Sequence, residues 1–367
     1  MSVTVKEIAA YLESKAPLSF QESYDNAGLT TGDPYGEVTG VLITLDITEE
    51  IIDEALHHNC NLVISHHPLV FSPLKSLTGR TWVERTLLKA IKNDIALYAA
   101  HTNLDSMLQN GVNTKICEKL GLKDIQILDP VQGNLRKLVT FVPTAHAEQV
   151  RSAIFDAGAG HIGNYDQCSY NLTGKGSFRG SDKTNPFAGE KGKLHFEEET
   201  RIETVFPVHL QAGILNALLK AHPYEEVAWD VYPLENTYPL AGMGMTGYLS
   251  EPADEAQFLR NLKKIFNAGV IRHTKLPGKK IKKVAVCGGS GSFLLKKAIS
   301  AGADIFVTGD IKYHQFFDHE NKIIIADIGH YESEQFTREI FYDILTKKFA
   351  NFAVRLSDIN TNPIKYL

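Results

Sequence analysis

Cysteine is scarce in this chain: Cys60, Cys117, Cys168 and Cys287 are the four in 367 residues, and no two form a CxxC pair. That spacing excludes a thiolate zinc site and a disulfide framework, so reduced thiols are expected and any metal must be held by histidine and carboxylate. Long apolar runs are missing too. No window reaches the roughly eighteen apolar residues of a membrane span, and the start "MSVTVKEIAAYLESKAPLSF" lacks a cationic segment leading into an apolar one. The expectation is a cytoplasmic protein with no membrane contact. Nor is there an excess of positive charge: 38 Lys and Arg stand against 43 Asp and Glu, a net charge of -5. This argues against nucleic acid as the main partner. What remains is 43% hydrophobic and 22% charged residues, the make-up of a soluble globular protein with length for two or three domains.

The order of elements points to an α/β fold. Val3 to Glu13 reads as an amphipathic helix, "VTGVLITLD" as a buried strand, "TEEIIDEALHHN" as a helix capped by Thr48, and "NLVIS" as the next strand. "WVERTLLKAIKND" then predicts a helix and "IALYAAHTNLD" a strand, which completes the βαβαβ grammar of a parallel sheet. The middle changes character. Strands "LRKLVTFVP" and "ETRIETVFPV" are each followed by a helix, with a Gly-rich stretch from Gly158 to Lys193 between them that reads as hairpins and loops. Closing on "VAWDVYPLE", this predicts an α+β ferredoxin-like domain. The α/β grammar returns from Tyr238. The expected organisation is a discontinuous α/β domain with largely parallel sheets, 1–129 and 239–367, interrupted by an inserted domain, 130–238.

An internal repeat supports the discontinuous domain. Placing Val41 on Val284 aligns "VLITLD…EALHHNCNLVISHH" with "VAVCGG…KKAISAGADIFVTGD" without a gap, so Val63 meets Phe306 and His67 meets Asp310. Further along, each half has another strand ending in a histidine four residues ahead of a carboxylate: "HTNLD" gives His101 and Asp105, and "HYESE" gives His330 and Glu334. The shared order points to duplication.

In open parallel sheets functional groups gather at the carboxyl ends of strands. His66 and His67 follow "LVIS" at such an end, and Pro68 bends the chain so that two neighbours that would face opposite ways can reach one pocket. Taken together, His66, His67, Asp105, His330 and Glu334 are a borderline-to-hard ligand set suited to zinc, manganese, iron, cobalt or nickel. Five ligands are more than one ion needs. With two divalent ions, a bridging carboxylate such as Glu334 would hold them about 3.5 to 4 Å apart. The two carboxylates and one hydroxide then leave a small positive excess, which favours an anionic substrate. His101 reads as a hydrogen-bonded neighbour of the ions rather than a ligand. "CGGSGSF" follows a strand and opens a helix, so it is either a phosphate-binding turn or a tight connection. Asp310 either orients a ligand or caps a helix. "KLPGKKIKKV" reads as a solvated loop, and His222, Glu225 and Glu226 in "AHPYEEVAWDVYPL" as a turn into a strand.

"SYDNAGLTTGD", "SHHP", "HTNLD", "GGSG", "VTGDIKYH" and "HYESE", in this order and spacing, closely resemble the Nif-three-like family, often labelled GTP cyclohydrolase I type 2 homologues. The resemblance spans nearly the whole chain. It implies that His66, His67, Asp105, His330 and Glu334 ligate a dinuclear centre, zinc first among the cations, with His101 beside it. It also implies that the insertion is PII/CutA-like, that the protein forms a toroidal homohexamer, and that the reaction is a GTP cyclohydrolase-like ring opening. Tyr24 departs from the family's usual tryptophan in that opening motif, with an aromatic kept. The expected activity is therefore metal-dependent hydrolysis, with a phosphoesterase as the neighbouring chemistry. A non-enzymatic regulatory or assembly protein that binds metal or a small molecule is the rival.

Overall fold

The computed structural model describes residues 2–349 and 352–367. The chain divides into two compact units, Met1–Pro130 with Pro239–Leu367, and Val131–Tyr238. No helix among the described residues is long and apolar enough to cross a membrane.

Two sheets build the first unit. One runs, in spatial order, Gly28–Thr31, Ala96–Ala99, Leu62–Ser65, Gly40–Thr44 and Ala353–Leu356. Its last four strands are parallel and Gly28–Thr31 is antiparallel at the edge. The other sheet runs Arg272–His273, Ile324–Asp327, Ile305–Gly309, Lys280–Ser290, Tyr238–Asp254 and Lys123–Val131. Here only the middle three strands are parallel, because Arg272–His273 and Tyr238–Asp254 pair antiparallel on either side. The second sheet is thus mixed where the sequence predicted largely parallel pairing. Its flanking strands are reached by segments that do not complete a βαβ crossover, and antiparallel pairing needs none.

Alternation along the strands explains the layers. Val41, Ile43, Leu62, Ile64, Ala96 and Tyr98 enter one buried cluster with Val284, Val286, Ile305, Val307, Ile324 and Ala326, so the two sheets share a core. Residues one step out of phase, Leu42, Val63 and Leu97, pack instead against Ile51, Ile52, Leu87 and Ala90 of the helices Glu49–His57 and Trp82–Lys92. In the second sheet Ala285, Phe306 and Ile325 pack on Leu295 and Ala298 in the same way. Strands covered on both faces read as unbroken apolar runs, as these do. Register preserves the repeat: Val41 pairs with Leu62 and Val284 with Ile305, the same separation in each half.

Local chemistry sets the helix ends. Thr48 caps Glu49–His57 through its hydroxyl, which accepts the Ile51 N–H at 3.4 Å. The first helix is Val5–Lys15, two residues later than its apolar period suggests, because Thr4 and Glu7 form a capping box there. Two tips that read as strand ends are helical: Thr102–Asp105 follows His101, and His330–Glu334 forms a short helix. Four-residue spacing on a helical turn puts histidine and carboxylate on one side. "KKIKKV" is not loop, since the strand Lys280–Ser290 begins inside it with Ile281 buried and Lys280 and Lys282 exposed.

The second unit orders its elements βαββαβ: Leu135–Pro143, helix Ala147–Asp156, Ser169–Phe178, His195–Pro207, helix Gln211–Ala221 and Trp229–Leu234. The antiparallel sheet places the first strand between the third and fourth, the ferredoxin-like arrangement. Its core is its own: Leu138, Val150, Ile154, Ile202, Phe206, Ile214 and Leu218. His222 is spent structurally, with Nε2 2.9 Å from the Phe141 carbonyl oxygen and Nδ1 accepting from the Tyr224 N–H.

Candidate metal centre

All six side chains singled out for metal chemistry meet at the carboxyl ends of strands in the first unit. His66 and His67 follow Leu62–Ser65, His101 and Asp105 follow Ala96–Ala99, and His330 and Glu334 follow Ile324–Asp327. They fall into three overlapping groups whose ligand atoms lie within 4.8 Å of one another: His66 with Asp105 and Glu334, His67 with His330 and Glu334, and His66 with His67 and His101. Glu334 is shared by the first two. Its Oε1 lies 3.7 Å from His66 Nε2, and its Oε2 is 3.0 Å from both His67 Nε2 and His330 Nε2. The Nε2 atoms of His67 and His330 are 3.2 Å apart.

Every ring is oriented from behind. His66 Nδ1–H donates to the Ala100 carbonyl at 2.9 Å, His67 to Asp46 at 2.7 Å, His101 to Asp25 at 2.8 Å and His330 to Asp310 at 2.7 Å. Each Nδ1 is committed, so each Nε2 is the nitrogen left for a ligand. Asp25 is itself held by the Thr102 N–H and hydroxyl, and Asp46 by the Thr361 hydroxyl. Asp310, left open between two roles by the sequence, orients His330. Asp25 and Asp46 were missed as working residues. Their only signal was position, Asp46 at a strand end and Asp25 within "SYDNAGL".

His66 Nε2 and Asp105 Oδ1 test whether metal fits. Both are buried and neither has a hydrogen-bond partner, although they face each other 3.5 Å apart. Two buried lone pairs without a donor are costly, and a divalent cation between them satisfies both. Charge tells the same story. Burial, and then the Glu334 carboxylate, push the Asp105 carboxyl above its usual range. Burial opposes ionisation of Glu334 as well, but His330 beside it outweighs that and holds it well below the usual range. Burial pulls the His67 imidazolium down, yet hydrogen bonds to Asp46 and Glu334 win and push it up to about 10. His330, likewise opposed by burial, is raised to about 11 by Glu334 and Asp310.

Glycine makes room for the Glu334 carboxylate. A Cβ on Gly289, where φ is +61°, would lie 2.3 Å from Glu334 Oε1. The N–H groups of Gly288, Gly289 and Gly291 are already given to Asn113, Ser333 and Thr308. Of the two readings of "GGSGSF", the tight connection is the one these bonds support.

The centre opens into a cavity of about 970 Å³ lined by His67, His101, Asp105, His330 and Glu334 among others. The comparisons agree with this architecture. The model of the Duf34/NIF3 (NGG1p interacting factor 3) family matches residues 3–363. A protein of Halalkalibacterium halodurans named GTP cyclohydrolase 1 type 2 homolog is 40% identical over 360 residues, 97% of this chain and 96% of that one. A Bacillus subtilis protein of the same name is 37% identical over 100% of this chain and 99% of its own. The crystal structure of a Bacillus cereus protein related to NIF3 superposes with a TM-score of 0.87 at 39% identity, covering 100% of both chains. The chain belongs to the Duf34/NIF3 family.

Proposed function

We propose that the centre holds two divalent metal ions and that the protein is a metal-dependent hydrolase. The supporting observation is the unpartnered pair His66 Nε2 and Asp105 Oδ1 beside a Glu334 that reaches a second pair of imidazoles. One ion would be held by His66, Asp105 and Glu334, the other by His67, His330 and Glu334. Two such ions would supply an activated water and polarise a carbonyl, ring C=N or phosphoryl oxygen. The protein's part is to fix the ligands through Asp46 and Asp310, and to keep His101 in one tautomer through Asp25. That leaves His101 Nε2 facing the cluster, where it can accept the proton that hydrolysis releases. We read the second unit as PII/CutA-like on its topology. Among the described residues it contains no metal-type group, which favours regulation or assembly over chemistry for that unit.

The name that the relatives carry makes opening of a nucleotide ring one reaction to test. Elemental analysis of the purified protein is expected to give two ions per chain. Incubation with GTP then separates ring opening, which yields formate, from phosphoanhydride cleavage, which yields phosphate, with His67→Ala as the inactive control. Zero bound ions would remove the proposal. Ions with neither product above the control would leave the centre standing and favour the rival reading as a non-enzymatic binding protein.

A further inference from the structure

The cavity in front of the centre is walled in a way that the metal ligands do not require. Tyr24, Phe71, Trp82 and Phe293 line it and are 67%, 47%, 54% and 62% exposed. Leu74 and Ile364 line it too, 40% and 52% exposed. Large apolar side chains held open around one hollow are uncommon on a surface without a ligand to cover them. The wall reaches the centre itself, since the Phe71 ring meets His101 edge-on with centroids 5.6 Å apart. Cations are lacking: among the described residues no lysine or arginine lines the cavity. The glycine turn at its floor gives its N–H groups to Asn113, Ser333 and Thr308 and has none of those three to offer a phosphate.

Charge at the centre points the same way. Two divalent ions would bring four positive charges, but Asp25, Asp46 and Asp310 stand directly behind three of the histidines in addition to Asp105 and Glu334. Five carboxylates cancel the excess that would draw a polyanion.

We propose that the substrate site takes a small planar aromatic or heteroaromatic compound, neutral or singly charged, that turns a carbonyl or hydroxyl oxygen toward the metals, and that it discriminates against nucleoside triphosphates. The inference rests on the metal centre proposed above. Stacking and ring burial against Phe71, Trp82 and Phe293 supply affinity, and the oxygen supplies orientation.

Calorimetry on the metal-loaded, full-length protein tests it with three probes: benzohydroxamate, acetohydroxamate with the same oxygen donors but no ring, and GTP. Metal content is measured on the same samples. Benzohydroxamate is expected to bind about tenfold or more tighter than acetohydroxamate, the benefit of burying one ring, and tighter than GTP. Phe71→Ala and Phe293→Ala should each shrink the ring's advantage without changing metal content. Equal affinities for the two hydroxamates, or tighter binding of GTP, with ions present, overturns the inference and leaves the metal centre intact. Absence of ions overturns both, and the elemental analysis identifies that case.

Discussion

At the scale of single residues, the four imidazoles are held from behind before any ligand arrives. Asp46 and Asp310 stand behind the cluster, and they set which nitrogen of His67 and His330 faces it. Changing either to asparagine keeps the shape and weakens the acceptor, so Asp46→Asn and Asp310→Asn should each lower metal affinity by about 10–100-fold with unchanged circular dichroism. Titration with zinc in a competing chelator measures this. Protons compete at the same atoms. His67 and His330 are raised to about 10 and about 11, so near neutral pH each carries a proton that a cation must displace. Metal affinity should therefore rise with pH through the neutral range, and uptake should release protons. Calorimetry in buffers of different ionisation enthalpy reads the number released; no buffer dependence would contradict the assignment. His66, His67, Asp105, His330 and Glu334 were legible because they sit at predicted strand ends with repeated spacing. Asp25 was not: it lies far along the chain from His101, and a lone carboxylate in a loop gives no periodic signal.

At the scale of elements, polar caps and apolar period carried most of the reading. The helix Glu255–Ile265, which the sequence reading did not single out, follows the same rule: Asp254 caps it, its Oδ1 accepting the Ala256 and Gln257 N–H groups at 3.1 Å each. Its Phe258 and Leu262 enter the shared core between the sheets. Asp254→Ala should cost about 1 kcal/mol, read as a fall in thermal midpoint of about 2–4 °C. A neighbouring exposed change, Lys263→Ala, should leave the midpoint within error. What escaped the sequence was the strand Ser169–Phe178, which lies at the edge of its sheet and, among the described residues, pairs only with His195–Pro207. Its residues are mostly exposed and include Gly174 and Gly176, so no apolar alternation marks it. Long-range pairing, not local preference, makes it a strand.

At the scale of the whole molecule, each unit owns a core. The cluster around Leu138, Ile202 and Leu218 lies wholly within Val131–Tyr238, and the five candidate ligands and His101 all lie outside that segment. Lys123–Val131 and Tyr238–Asp254, the strands on either side of the segment, are neighbours in one sheet. A short Gly/Ser turn can therefore replace residues 132–237. The shortened chain should still bind the same number of ions per molecule, measured by elemental analysis. Loss of metal on deletion would show that the centre depends on the second unit.

The matched strand separations in the two halves have one more outcome. A duplicated fold needs something to keep its copies in step, and here His66 and His67 come from the first copy while His330 and Glu334 come from the second. Ions gripped by both would work as rivets through the joint, so that releasing them and weakening the union of the copies become a single event.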